Sequence, residues 1–161
     1  YNRSIAREEK GDFDGSSSDN TRILELDPKS VKAFYNRGIA RGQKGDLEGS
    51  IADNSKAIQL DPKYTQAYYN RALARAQKND LDGAIDDNTK VIELSPNNAE
   101  AHFNRGAAYW KKQDYDRTIA DFQKASALNP AYKPQADPVI EQAKQFKAEA
   151  AAAAKGRPDE T

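Results

Sequence analysis

Residues 31–64 read VKAFYNRGIARGQKGDLEGSIADNSKAIQLDPKY. Small, aromatic or aliphatic residues stand at Phe34, Gly38, Ile51, Ala57 and Leu60, the stretch closes on Pro62, and the layout recurs thirty-four residues along the chain. The dipeptide Asn-Arg marks the period at Asn2-Arg3, Asn36-Arg37, Asn70-Arg71 and Asn104-Arg105. Asp12, Asp46, Asp80 and Asp114 keep the same interval, as do Pro28, Pro62, Pro96 and Pro130. Self-similarity at this period with helical spacing means units that cannot bury their apolar faces alone and must stack on their neighbours, giving an all-α repeat array.

Local chemistry divides each unit into two antiparallel helices, expected at 32–43 and 47–60 in the quoted stretch. Gly45 suits the left-handed conformation that ends a helix, and Asp46 suits the N-cap of the next. Gly11-Asp12 repeats that signal, Asn79-Asp80 replaces Gly with the residue that next most readily visits the left-handed region, and Gln113-Asp114 is the poorest of the turns. The proline near the end of each second helix breaks it before the next unit begins. Ser16, Ser17 and Ser18 stand where the next unit has Ser50, Ile51 and Ala52, so the first unit is expected to be the least stable.

The unit resembles a tetratricopeptide repeat. The resemblance rests on Phe34, Gly38, Ala57 and Pro62, then on Tyr68, Ala72, Ala84, Val91 and Pro96, then on His102, Gly106, Tyr109, Tyr115, Phe122, Ala125 and Pro130. It implies a right-handed solenoid of helix-turn-helix repeats with units at 1–30 (truncated), 31–64, 65–98 and 99–132, and a linker and C-terminal capping helix at 133–155. After Tyr132 the period is lost among Pro134, Asp137 and Pro138, and a helix is expected over 139–155 with Asp137 as N-cap and Pro138 as first residue. Its apolar stripe, Val139, Ala143, Phe146, Ala150 and Ala153, is read as covering the last repeat, with dimerisation as the alternative. Gly156, Arg157 and Pro158 end the helix and leave a tail at 156–161. Because the sequence starts at Tyr1, inside a first helix, the chain is expected to be part of something longer.

Charge and composition narrow the function. Acidic and basic residues are equal at 25 each, which argues against a general nucleic-acid or anionic-membrane binder. No apolar run reaches membrane-spanning length. Cysteine is absent, so thiol catalysis, disulfides and cysteine metal sites are excluded, and the compartment stays open between cytoplasmic and periplasmic or secreted. The single histidine, His102, occupies the slot of Phe34 and Tyr68 and is expected to pack. No catalytic residues, metal ligands or cofactor site are expected, and the protein reads as no enzyme.

Two polar columns run through the repeats. Each Arg of the Asn-Arg dipeptide has an Asp sixteen residues on, at Asp19, Asp53, Asp87 and Asp121, which predicts an ion pair between the two helices of a unit. Arg7, Arg41 and Arg75 are followed thirteen residues on by Asn20, Asn54 and Asn88, replaced together by Tyr109 and Phe122 in the last unit, so these slots are expected to touch. The other column lies on the opposite face of the first helix, where Tyr35, Ile39 and Gly42 stack at helical spacing beside Asn36 and Gln43. Its equivalents are Tyr69, Asn70, Leu73, Ala76 and Gln77, then Phe103, Asn104, Ala107, Trp110 and Lys111, with Tyr1, Asn2 and Ile5 in the first unit.

In the family this face lines a concave groove, and the Asn column resembles the asparagine ladder of some members, implying contacts to the backbone of an extended peptide. The members that grip a C-terminal carboxylate use Lys and Asn at the slots held here by Tyr1 and Ile5, so that mode is set aside. The expected function is a non-enzymatic scaffold for a protein or peptide partner, with no nucleic acid and no membrane. The alternatives are self-assembly, as a homo-oligomer, through the repeat edge and C-terminal helix, or service as the substrate-holding arm of a larger enzyme.

Overall fold

The computed structural model describes residues 2–155, without the side chains of Asn2, Ile5, Glu8, Glu9, Ala154 and Lys155. The expectations for Tyr1, for the side chains of Asn2 and Ile5, and for the 156–161 tail lie outside the described residues. Among those described, the chain is all helical: α1 (Asn2–Glu9), α2 (Phe13–Leu26), α3 (Val31–Gln43), α4 (Leu47–Leu60), α5 (Thr65–Gln77), α6 (Leu81–Leu94), α7 (Ala99–Lys111), α8 (Tyr115–Leu128), a 3-10 turn at Pro130–Tyr132, and α9 (Lys133–Lys155). They form two compact units, Tyr1–Pro96 and Asn97–Thr161.

The turns follow their sequence signals. Gly11 and Gly45 lie at φ of 74° and 82°, Asn79 at 62° and Gln113 at 61°. Each following Asp caps a helix: Asp12 accepts from the Gly15 N–H, Asp46 from Gly49, Asp80 from Gly83 and Asp114 from Arg117. Of the four N–H donors left orphaned at each helix start, one is thereby satisfied by the side chain, and the strained Gln113 is held by the flanking helices.

In the first unit each helix packs on the next from α1 to α6. The contact surfaces are built from small residues, with Ala33 and Ala40 on α3 and Ala67 and Ala74 on α5 all buried. Alanine has no rotamer entropy to lose and allows close helix approach, so the core is thin but dense. Ala6, in the slot of Ala40 and Ala74, is exposed on α1.

In the second unit α7 packs on α8 and α8 on α9. Here the sequence expectation is corrected. The helix starts at Lys133, six residues before 139, and Asp137 and Pro138 lie inside it. Pro134 sits in the first turn, where its missing N–H costs nothing, and Pro138 removes only one backbone bond beyond that turn. The buried pair Ala136 and Ala143 on α9 matches Ala101 and Ala108 on α7, so α9 is a further first-type helix displaced by one residue from the period. Its buried stripe is Ala136, Ile140 and Ala143, with Val139 and Phe146 partly covered, whereas Ala150 and Ala153 are exposed. Phe122, Ala136 and Ile140 form a core to which Phe103, Ala107, Ile119 and Val139 add. Phe146 lies against Trp110 and Tyr115, with ring centroids at 6.0 and 5.4 Å. The outer side of α9 is polar, with Asp137, Glu141 and Lys144 exposed and the last two paired at 2.6 Å. A helix that buries one apolar face and turns a polar one outward is what ends a repeat stack.

Candidate functional site

The Arg-Asp column is observed, and it faces inward. Arg37 grips Asp53 with two parallel bonds, Nε to Oδ2 at 2.8 Å and Nη2 to Oδ1 at 2.7 Å. Arg71 grips Asp87 in the same way at 2.9 and 2.6 Å, and Arg105 grips Asp121 at 2.8 and 2.8 Å. The remaining nitrogen of Arg37 donates to Thr21 Oγ1 at 3.1 Å, and that of Arg71 to Ser55 Oγ at 2.9 Å. One guanidinium therefore ties its own second helix to the second helix of the preceding pair. The hydrogen bonds that Arg105 donates to Asp121 raise its pKa further, against the opposing effect of burial.

A second cation shares each carboxylate. Arg7, Arg41 and Arg75 reach Asp19, Asp53 and Asp87 at 3.2, 2.9 and 2.8 Å. The side-chain bonds of these arginines thus go to the carboxylates, and not to Asn20, Asn54 and Asn88 in the slots expected to touch them. Those asparagines are short, and each donates to a carbonyl one turn back in its own helix: Ser16, Ser50 and Ala84. Asn54 packs instead against Gly38, where an added Cβ would lie 2.6 Å from its Nδ2, and Phe122 packs likewise against Gly106. In the last repeat Tyr109 replaces the second arginine and stacks under Arg117, 4.6 Å from its ring centroid. His102 meets Asp121, with Nδ1 3.2 Å from Oδ1, so it is buried as expected and also hydrogen-bonds the carboxylate.

The candidate binding residues are all on first helices. In the first unit, Tyr35, Ile39, Tyr69, Asn70 and Leu73 are half-buried, Gln43 and Gln77 are exposed, and Asn36 is buried. In the second unit Phe103, Asn104 and Trp110 are half-buried and Lys111 is exposed. The aromatic members differ in what they touch. Tyr35 meets Tyr64 edge to face at 5.2 Å, whereas Phe103 stacks on Tyr132 at 4.8 Å and Trp110 on Phe146. The latter two are engaged by the cap and present only their remaining edges.

Asn70 and Asn104 carry the least expected feature of this face. The Nδ2 donor of each is buried and has no hydrogen-bond partner. Beside Asn70, in the first unit, a cleft of about 100 Å³ opens between α3, α4 and α5. Its walls are Ile39, Gly42, Leu47 and Leu73, Ser50 lies at its base, and Gln43 and Gln77 complete the lining. Reading the sequence placed Gly42 on the stripe but missed the cleft. The signal was there in the slot series Gly42, Ala76, Trp110, which falls to its smallest member in this repeat. Among the described residues there is no group of three or more His, Cys, Asp and Glu able to hold a metal, and no helix is long and apolar enough to cross a membrane.

The repeat fold, the capped turns and the half-buried first-helix face define a helical-repeat protein, and comparison with known proteins agrees. The family described as TPR repeat matches residues 42–78 and 73–113, and that described as Tetratricopeptide repeat matches residues 99–132. The chain belongs to the tetratricopeptide-repeat family. No curated protein matches it. Among solved structures, the crystal structure of MamA protein is 26% identical, with a TM-score of 0.84 over 94% of this chain and 82% of that one. The Arabidopsis OM64 TPR domain is 24% identical, with a TM-score of 0.67 over 72% and 95%. The first TPR of Spaghetti (RPAP3), bound to HSP90 peptide SRMEEVD, is 21% identical, with a TM-score of 0.69 over 73% and 93%. The last two share the fold.

Proposed function

We propose that the chain is a non-enzymatic scaffold that binds extended segments of partner proteins on its first-helix faces, Asn70 in the first unit and Asn104 in the second each contacting the ligand backbone on its own unit. Domains of this family generally mediate protein-protein interaction, and one fold relative is bound to a peptide. The observation that carries the reading here is the unpartnered Nδ2 of Asn70 and of Asn104. A buried donor without an acceptor costs about 1–3 kcal/mol, and that cost is recovered when a ligand carbonyl pairs with it. Since no bond holds these amides, rotation about the terminal torsion is enough to turn Nδ2 to the ligand while Oδ1 accepts a backbone N–H. Such pairing reads the backbone and leaves the side chains to the residues around it.

The relative's peptide SRMEEVD is acidic, and the first-unit face here is neutral, so a different ligand chemistry follows. Self-association through the C-terminal stripe loses support, because Ile140 and Ala143 are buried and Phe146 is in contact with Trp110. The test is a display selection of random peptides of about ten residues on the whole chain, long enough to run well past the roughly 8–10 Å between packed helices at about 3.3–3.6 Å per extended residue. Binders measured by fluorescence anisotropy are expected to lose about tenfold or more with Asn70→Ala or Asn104→Ala, while the melting temperature holds or rises. Binders indifferent to both substitutions would show that the asparagines are structural.

A further inference from the structure

Resting on the peptide-binding reading above, we propose that the cleft at Gly42 is a selectivity pocket that takes one aliphatic side chain of the ligand, of valine to leucine size. Size comes first. A cavity of ~150 Å³ admits benzene, so an open cleft of about 100 Å³ holds a branched chain of three or four carbons and leaves an aromatic ring partly outside. Lining chemistry comes next. Ile39, Leu47 and Leu73 supply the walls, no charged residue contributes, and the polar groups are the neutral amides of Asn70, Gln43 and Gln77 with the Ser50 hydroxyl. A lysine or aspartate side chain placed there would lose its water with no opposite charge to replace it. Position completes the argument: Asn70, with its free donor, is itself part of the lining, so a backbone paired to that amide sets its neighbouring side chain over the cleft.

The pocket exists because of one residue. A Cβ added at Gly42 would approach Ser50 Oγ to 3.2 Å and Ser50 Cβ to 3.6 Å, so any side chain there grows directly over the base of the cleft. The equivalent slots hold Ala76 and Trp110 inside intact helices, so the helix tolerates both a methyl and a large ring at this position. Filling the cleft is thus separable from damaging the fold.

The experiment uses the same display-selected peptides, synthesised and measured by fluorescence anisotropy on the full chain. Peptides that depend on Asn70 are expected to share one position filled by Val, Ile or Leu. Exchanging that residue for Ala is expected to weaken binding at least tenfold on the parent protein, and for Phe or Lys at least as much. Gly42→Leu should abolish the Leu-over-Ala preference, leaving the two peptides within about twofold of each other, and Gly42→Ala should give an intermediate ratio. Circular dichroism and melting of both variants establish that they fold, and Gly42→Ala carries the test if the larger substitution does not. Peptides that need Asn70 but show no aliphatic position, or a preference that survives Gly42→Leu or is unchanged by Gly42→Ala, overturn the pocket and leave the scaffold reading standing. A selection whose binders ignore Asn70 overturns the pocket, and one whose binders ignore both Asn70 and Asn104, or that returns none, overturns the scaffold reading with it.

Discussion

Asp87 holds two cations at once, accepting from Arg71 through both oxygens and from Arg75 at 2.8 Å, with only 3% of its side chain exposed. Removing the carboxylate strands both guanidiniums, and for a buried cluster that costs about 3–5 kcal/mol. Asp19 occupies the same slot, but its partner Arg3 is 73% exposed and water screens the pair. Urea unfolding is therefore expected to show a loss of about 3–5 kcal/mol for Asp87→Ala and about 1 kcal/mol or less for Asp19→Ala; equal losses would mean the cluster is solvated everywhere. A second single-residue effect sits at Gln113, held at φ 61° where Gly45 lies at 82°. A left-handed non-glycine residue costs ~1–2 kcal/mol and glycine loses ~0.5–1 kcal/mol of chain entropy, so Gln113→Gly should gain about 0.5–1 kcal/mol by the same measurement. No gain would mean the flanking helices already relax that turn. The Arg-Asp pairing was legible in the sequence because both partners recur in phase and their interval fits two facing helices. The bond of the second arginine to that carboxylate was not legible, since the sequence correlates its slot with the Asn, while the long guanidinium arm reaches Asp87 and the short Asn88 bonds its own helix.

At the scale of the helix, the boundaries of α3 and α4 followed from capping chemistry to within a residue, because Gly45, Asp46 and Pro62 act locally. α9 did not follow, for a reason that is also local. One inserted residue shifts Ala136 and Ala143 out of the thirty-four-residue register, and Pro138 imitates a helix start that the real start at Lys133 overrides. The contacts divide α9 into a working half and an overhang. Ile140 is 5% exposed, Lys147 pairs with Asp116, and the residues from Ala148 to Ala153 are exposed. Ending the chain after Ala148 should leave the melting temperature unchanged. Ile140→Ala should cost about 2–5 kcal/mol, since a buried aliphatic side chain leaves a cavity that its surroundings only partly close. Thermal melts of the two variants check both expectations. If the truncation destabilises as much as Ile140→Ala, the overhang has contacts that the packing does not reveal; if neither does, α9 is not a cap.

At the scale of the whole molecule, zero net charge and a core of alanines make nearest-neighbour packing the main source of order, so stability should vary along the chain as packing does. The period, visible in every Asn-Arg, made the architecture legible; the binding face was legible only as a stripe, because a cleft depends on what several helices leave unfilled and no single segment encodes that. The same dependence on neighbours sets the gradient in the first unit. α2 offers Ser17 and Ser18 where α4 offers Ile51 and Ala52 and α6 offers Ile85 and Asp86, and α1 exposes Ala6 where α3 and α5 bury Ala40 and Ala74. Replacing one partly buried isoleucine by serine alone forfeits on the order of 1.5 kcal/mol of apolar burial, enough for a tenfold change in an opening equilibrium. Native-state amide exchange is therefore expected to give Phe13–Leu26 protection factors at least tenfold below those of Leu81–Leu94 in the same unit. A Ser17→Ile substitution should close part of that gap by restoring the residue the other repeats carry. If the two helices exchange equally in the parent protein, the unit opens as one cooperative block, and the serines of α2 are neutral substitutions in a core held together by its arginine clamps.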